Sequence, residues 1–143
     1  MKHKLLNADK QKTFAIILDN GDEVMESLQS FAKEQNLKGS QFSAIGAFSK
    51  TTLGFFDFSI KDYKNIEIDE QVEVLSITGD ISLYENKIKI HAHAVLGKND
   101  GTAHGGHLLK GFVHPTLEII LTESPGYLER KMDEDSHIPL IKI

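Results

Sequence analysis

The sequence contains no cysteine among its 143 residues. A disulfide framework, a thiolate zinc finger and a cysteine nucleophile are therefore excluded. Long apolar runs are also missing, since no stretch approaches the ~18 apolar residues that a membrane-spanning helix requires. The first fourteen residues, MKHKLLNADKQKTF, lack the apolar centre of a secretory signal peptide. We therefore expect a cytoplasmic protein.

Arginine is nearly absent, because Arg130 is the single arginine among 16 basic residues and the formal net charge is −5. Arginine is the usual reader of guanine edges and of phosphate, and nucleic-acid-binding domains carry a basic face. The sequence has no basic run, although a folded surface could gather scattered lysines such as Lys87, Lys89, Lys98 and Lys110. Nucleic acid is therefore a candidate partner with little compositional support.

The remaining composition is that of a folded domain, with 40% hydrophobic and 26% charged residues. A chain of this length covers roughly two-thirds of its unfolded surface on folding, which is enough for a core without disulfides. We expect one domain over residues 1–143, with its core at about 13–123 and a C-terminal excursion at 124–143. No GxGxxG, GxSxG, HExxH or P-loop motif is present, so the sequence gives no support to the functions that these motifs mark.

One helix is predicted near the start of the chain. Residues 13–18 form a short apolar run that predicts a buried strand, and residues 20–21 (Asn-Gly) predict a turn after it. Asp22 is the expected N-cap of the helix, and Gly39 is its expected terminator. The helix has an apolar face at helical spacing, formed by Val24, Leu28, Phe31 and Ala32.

The chain from the helix to about residue 123 is predicted to be β structure. Strands are expected at residues 41–48 and 51–58 around a turn at 49–50, and at 64–69, 72–83, 87–96 and 116–122, with a turn at 85–86 and an edge strand at 138–143. Phe55, Phe56 and Phe58 offer a face for stacking bases, although aromatic residues in a β run are usually core. Because no βαβ alternation is present, the predicted class is α+β, a mainly antiparallel sheet with one principal helix packed on it.

Histidine and glycine are concentrated in one segment, HAHAVLGKNDGTAHGGHLLKG, which runs from residue 91 to residue 111. Its first part alternates apolar and polar residues, and this alternation predicts a strand. Residues i and i+2 of a strand point to the same face, with Cα atoms about 6.5–7 Å apart. His91 and His93 can therefore tilt onto one metal ion, although such a pair is also common as two polar, solvent-facing side chains.

A third ligand must come from elsewhere in the fold, and His107 is the expected one. It ends a predicted glycine-rich loop and begins the next strand, where Gly105 and Gly106 would let the backbone pass close to the site. Three histidines suit a divalent metal, with zinc expected, and leave one position for water or a small ligand. Glu118 is the candidate catalytic residue, able to orient an imidazole or to act on bound water.

Three segments of the chain resemble the PPC domain, the plant- and prokaryote-conserved family. They are SAIGAFSKTTLGFFD (43–57), EVLSITGDISL (73–83) and HAHAVLGKNDGTAHGGHLLKGFVHPTLEIILTE (91–123). The most distinctive part is the His-x-His strand followed by Gly-Gly-His-Leu and Thr-x-Glu. The resemblance implies an α+β fold that assembles as a homotrimer.

The same resemblance has implications for function. It implies that His91, His93 and His107 face a metal. Other positions also match the family pattern: Gly105, Gly106 and Thr116, taken as ligand-binding positions, and Glu118. Plant members carry an AT-hook that binds A·T-rich DNA, but this chain has no Arg-Gly-Arg-Pro hook, so the fold alone does not transfer that activity. Three functions stay open: a trimeric metal- or small-ligand-binding protein, a metal-dependent enzyme, and a DNA-binding or regulatory protein.

Overall fold

The computed structural model describes residues 1–7, 11–124 and 126–142. Within them, nine strands and one helix follow in this order: β1 (Lys2–Asn7), β2 (Lys12–Leu18), α1 (Val24–Glu34), β3 (Ser40–Asp57), β4 (Asp62–Ile68), β5 (Val72–Tyr84), β6 (Lys87–Gly97), β7 (Ala103–Glu123), β8 (Glu129–Met132) and β9 (Pro139–Lys142). This order agrees with the predicted mainly β architecture with one principal helix. No helix of the described ranges is long and apolar enough to cross a membrane.

Four long strands, β3, β5, β6 and β7, form a closed ring in which each strand is hydrogen-bonded to two of the others. β3 lies between β5 and β7, with Ser43 opposite Thr78 on one side and opposite Ile120 on the other. β6 joins β5 to the start of β7, where His93 lies opposite His107. β2 and β1 extend the sheet beyond β7, and β4 pairs with the end of β3. β8 pairs with β5 in parallel, whereas β8 and β9 are antiparallel.

The core lies between helix α1 and the inner face of the sheet. The four predicted apolar residues of α1 are all buried, and the helix packs against β6 and β7. The ring of Phe31 meets that of Phe14 edge to face, with centroids 5.2 Å apart. The predicted helical face is therefore confirmed.

The opposite side of the four long strands is largely exposed, because alternate residues of a strand point to opposite faces. We call this side the outer face. It is formed by Gln41, Ser43 and Ile45 of β3, Leu75, Thr78 and Asp80 of β5, His91, His93 and Val95 of β6, and Glu118, Ile120 and Thr122 of β7.

The two ends of α1 differ from the prediction. Glu23, rather than Asp22, is the N-cap: its carboxylate accepts hydrogen bonds from two N–H groups of the first helical turn and from the N–H of Gly111 on β7. The longer side chain of glutamate can reach both elements at once. The helix ends before Gly39, because the chain turns at Asn36, which has a left-handed φ of 54°.

Two predicted breaks in the sheet are absent. The predicted strands 41–48 and 51–58 form one continuous strand, because Lys50 stays in the ladder opposite Phe112 of β7. The predicted glycine loop 97–107 is also shorter, since β7 already begins at Ala103. In both places, hydrogen bonding to a long partner strand outweighs the local turn preference of glycine, serine and lysine.

The chain ends contain one unpredicted strand and one predicted strand. β1 has no counterpart in the sequence analysis, because its six residues, KHKLLN, have little apolar alternation. The predicted edge strand at 138–143 corresponds to β9, which pairs with β8. Pro125 and Ile143, which belong to the predicted C-terminal excursion, lie outside the described residues.

Candidate metal centre

Three histidines from two strands converge on the outer face. His91 and His93 occupy alternate positions of β6, and His107 lies opposite His93 on β7. One ring nitrogen of each histidine lies within 4.8 Å of the other two, and the ring centroids are 4.9, 5.0 and 5.4 Å apart. The structure thus brings together the three histidines that the sequence analysis selected. It does so by cross-strand pairing and not by a loop.

The distances between the nitrogens suit a tetrahedral ion. Imidazole binds zinc at about 2.0–2.1 Å, so two ligand nitrogens of a tetrahedral site are roughly 3.3 Å apart. The Nε2 atoms of His91 and His93 are 3.2 Å apart. The largest separation between ligand nitrogens in the group stays within 4.8 Å.

His107 carries a polar atom that the described residues leave unsatisfied. Its Nδ1 is buried and has no hydrogen-bond partner among them. The ring of Tyr63 covers it at a centroid distance of 4.7 Å. A buried polar atom without a partner costs about 1–3 kcal/mol. An unpartnered imidazole nitrogen within a group of imidazoles is the kind of donor that a metal site requires.

Burial keeps two of these imidazoles neutral. Burial, followed by the nearby charges of His91 and His93, lowers the pKa of His107 to about 4. Burial, followed by the charge of His91, also lowers the pKa of His93. Only the neutral ring has a lone pair to offer a metal. The two histidines are therefore ready to bind a cation at neutral pH.

The lowered pKa of His107 predicts a pH-dependent stability of the metal-free protein. Between pH 6.5 and about 4 the unfolded chain binds a proton at this position that the folded chain does not bind. The free energy of unfolding should therefore fall as the pH falls through this window, and this contribution should be constant above it. Urea unfolding at pH 7.5 and pH 5 measures the change.

The His107→Ala variant is the control for this prediction. It lacks the titrating group, so its stability should fall less between the two pH values than that of the parent protein. An equal fall in both proteins would show that other groups carry the pH dependence.

Asp80 is the carboxylate beside the histidines. It lies opposite His91 in the β5–β6 ladder, with its Oδ2 3.6 Å from His91 Nδ1. Nη2 of the buried Arg130 donates to both carboxylate oxygens at 2.8 Å. Burial raises the pKa of Asp80, but the neighbouring His91 and Arg130 outweigh it, so the pKa lies below its ordinary value. Sequence reasoning missed Asp80, because only the register of β5 and β6 places it next to His91.

The two glycines of the predicted site lie beside His107 in β7. Gly105 and Gly106 are opposite Val95 and Ala94 of β6. A Cβ on Gly106 would lie only 2.9 Å from the carbonyl oxygen of Gly54. Gly106 therefore allows a close approach of β3 and β7 next to the site, in a strand and not in the predicted loop.

Thr116 and Glu118 are not part of the group whose ligand atoms meet within 4.8 Å, which consists of the three histidines. They follow His107 by nine and eleven residues on β7. The hydroxyl of Thr116 donates to the carbonyl of Leu18 at 3.3 Å. Glu118 lies exposed on the outer face, opposite Ile45.

The other histidines with described side chains lie outside the cluster. His104 is exposed on β7, His114 Nδ1 is 2.7 Å from Asn20 Oδ1, and His137 Nε2 is 3.2 Å from Lys61 Nζ. His104 lies in β7 and not in the predicted glycine-rich loop.

A groove of about 710 Å³ opens on the outer face beside His91 and His93. Its lining includes the hydroxyl groups of Ser43, Thr78 and Thr122. No lysine or arginine is among the lining residues. Asp80 also lines the groove, so the groove suits a ligand that donates hydrogen bonds better than one with several phosphates.

Comparison with known proteins identifies the family. The profile of the Plants and Prokaryotes Conserved (PCC) domain matches residues 6–125. The chain belongs to this family, which confirms the resemblance seen in the sequence. No curated protein is significantly similar to the chain.

Solved structures of similar fold cover nearly the whole chain. A "putative DNA-binding protein" of Bacteroides thetaiotaomicron is 25% identical with a TM-score of 0.88, over 98% of this chain and 96% of that one. A plant- and prokaryote-conserved protein of Pyrococcus horikoshii is 28% identical with a TM-score of 0.87, over 99% and 95%. A protein of Archaeoglobus fulgidus described as metal-containing is 29% identical with a TM-score of 0.84, over 99% and 97%.

Proposed function

We propose that the protein binds one divalent metal ion per chain through His91, His93 and His107, and that zinc is the metal. The observation that carries this proposal is the convergence of one ring nitrogen from each of the three histidines within 4.8 Å, where Nδ1 of His107 is buried and has no hydrogen-bond partner among the described residues. The Archaeoglobus fulgidus relative described as metal-containing supports it. Metal-free protein titrated with Zn²⁺ or Co²⁺ should saturate at one ion per chain, and a chain that takes up neither ion would disprove the proposal.

Three protein ligands leave one coordination position for water or a small ligand. The groove beside His91 and His93 gives such a ligand a place on the outer face, where the hydroxyls of Ser43 and Thr78 can orient it. When bound, the ion supplies Lewis acidity at this position. A metal-dependent enzyme is therefore an alternative, and Asp80 supplies a carboxylate 3.6 Å from His91 Nδ1.

A DNA-binding or regulatory role is the second alternative, and the name of the Bacteroides relative favours it. The structure offers DNA no exposed arginine, because Arg130, the single arginine of the sequence, is 6% exposed and paired with Asp80. The net charge of −5 also opposes approach to phosphates. Retardation of a DNA duplex in a gel at low salt, weakening steeply as salt is added, would favour this alternative over metal binding alone.

We further propose that the chain assembles as a homotrimer, as the family resemblance implies, with the outer face between the copies. Four large apolar side chains are exposed on this face: Ile45 (60%), Leu75 (54%), Val95 (44%) and Ile120 (50%). Contiguous exposed apolar surface marks an interaction site. Glu118 lies on the same face and stays a catalytic candidate for a site shared between copies.

Charge placed on the outer face should separate the copies. Ile120→Glu introduces a carboxylate among the exposed apolar residues, and burying it in an interface is costly. Light scattering after size exclusion should give the mass of a trimer for the parent protein and of a monomer for the variant.

Ile60→Glu is the matched control, because Ile60 is at least as exposed as Ile120 (60% against 50%) but lies in the turn between β3 and β4. This variant should keep the mass of the parent protein. A monomeric parent, or dissociation by both substitutions, would contradict the proposed interface.

A further inference from the structure

The single arginine of the chain is buried beneath the histidine site. Arg130 lies opposite Tyr84 where β8 pairs with β5, and only 6% of the residue is exposed. A buried guanidinium is costly unless it is paired and hydrogen-bonded. Arg130 also lies outside residues 6–125, the region that the family profile matches.

Each nitrogen of the Arg130 guanidinium has a partner. Nε donates to the hydroxyl of Ser82 at 2.8 Å, and Nη1 donates to the carbonyl of Pro139 on β9 at 2.9 Å. Nη2 donates to both carboxylate oxygens of Asp80 at 2.8 Å. The hydroxyl of Ser82 also donates to Asp80 Oδ1, at 3.3 Å. Asp80 is therefore held in place by two side chains that are themselves buried.

Asp80 and Arg130 meet at the same nitrogen of His91. Asp80 Oδ2 is 3.6 Å and Arg130 Nη2 is 3.4 Å from His91 Nδ1. A carboxylate accepts hydrogen bonds, whereas a guanidinium only donates them. Nη2 of Arg130 already donates to both oxygens of Asp80, which leaves it no hydrogen for Nδ1 of His91. When Nδ1 of His91 carries the proton and directs it at Asp80, its Nε2 keeps the lone pair, and this Nε2 lies 3.2 Å from Nε2 of His93. A carboxylate in this position fixes the tautomer and the orientation of a ligating imidazole.

We propose that Arg130 is a positioning residue of the histidine site: by holding Asp80 against Nδ1 of His91, it makes the C-terminal hairpin β8–β9 part of the metal centre. This inference rests on the proposed metal-binding function. If Arg130 acted only through its charge, its replacement would strengthen metal binding, because a positive charge near a bound cation weakens the binding of that cation. A positioning role predicts the opposite, weaker metal binding when Arg130 is replaced.

The test compares Arg130→Met with Lys131→Met in the full chain. Lys131 is the next residue of β8 and its side chain is exposed, so both variants lose one positive charge. Titration of the metal-free proteins with Co²⁺ should show about 10–100-fold weaker binding by Arg130→Met, with an altered Co²⁺ absorption spectrum. Lys131→Met should match the parent protein. An affinity of Arg130→Met equal to or above that of the parent would overturn the proposal.

A double variant shows whether Arg130 acts through Asp80. If it does, Asp80→Asn/Arg130→Met should bind Co²⁺ no more weakly than Asp80→Asn, because both changes remove the same contact to His91. Independent, additive losses would contradict the proposed route.

If circular dichroism shows that Arg130→Met does not fold, Arg130→Lys replaces it, since lysine keeps the charge but not the planar set of donors. That variant should also bind Co²⁺ more weakly than the parent, and equal binding would overturn the proposal.

A measurement without metal separates this inference from the proposed function. Failure of the parent protein to bind Co²⁺ would overturn the proposed metal binding. The positioning role is tested separately, because ¹H–¹⁵N NMR spectra of the metal-free protein report the tautomer of the His91 ring directly. The parent should show the Nδ1-protonated ring, and Arg130→Met should show a mixture of tautomers. The same tautomer in both proteins would disprove a positioning role.

Discussion

Replacement of His107 by alanine is expected to weaken the binding of Zn²⁺ or Co²⁺ by more than about 100-fold, beyond the range typical for residues that only support a ligand. His91 and His93 alone provide two ligands from one strand. The substitution also removes the one buried ring nitrogen that lacks a partner among the described residues. Equilibrium titration of metal-free protein with Co²⁺ measures the loss.

His104→Ala is the matched control for this variant. His104 lies three residues before His107 on the same strand, but it is exposed and outside the cluster. It should bind Co²⁺ with the affinity of the parent protein. If the two alanine variants bound equally well, the three-histidine site would not be the metal centre.

Replacement of Gly46 by alanine is expected to destabilise the fold by on the order of 3 kcal/mol. Gly46 has a φ of +152°, a region that residues with a side chain rarely adopt. An added methyl group would overlap the carbonyl oxygen of Thr116 and lie 2.8 Å from Cα of Leu117. Because the opposing atoms belong to the backbone of β7, no side-chain rotation can relieve the contact. The urea concentration at the unfolding midpoint should fall accordingly.

Gly126→Ala is the control for this substitution. A methyl group on Gly126 meets no heavy atom within 4 Å, so the variant should unfold at the same urea concentration as the parent protein, within error. Similar losses in both variants would show that the close approach of β3 and β7 at Gly46 is not a source of the destabilisation.

The parts of the fold that the sequence predicted correctly depend on local periodicity. The helical face from Val24 to Ala32 repeats at the spacing of a helix, and all its apolar members are buried. The turn at Glu85 and Asn86 also follows from local preference, and both residues adopt positive φ values of 50° and 60°. The errors at residues 49–50 and 97–107 arise from contacts that are not local. In both places a long partner strand forms hydrogen bonds with the backbone, and these outweigh the turn preference of the residues.

The candidate site was also predicted only in part. Alternation along β6 was enough to place His91 and His93 on one face. His107 was selected as the end of a loop, but it reaches the site as the cross-strand partner of His93. Asp80 was missed, because the sequence pattern does not show which carboxylate a neighbouring strand carries to the histidines; Glu118 stays a prediction.

The sequence by itself therefore determined the mainly β architecture with its one helix, the pairing of two histidines on one strand face, and the family to which the chain belongs. Only the tertiary structure decided that β6 lies between β5 and the start of β7, which brings His91 to Asp80 and His93 to His107, and that Arg130 is buried behind them. The physical reason is that strand register depends on contacts between segments far apart in the chain, whereas a sequence pattern records only the preferences of neighbouring residues.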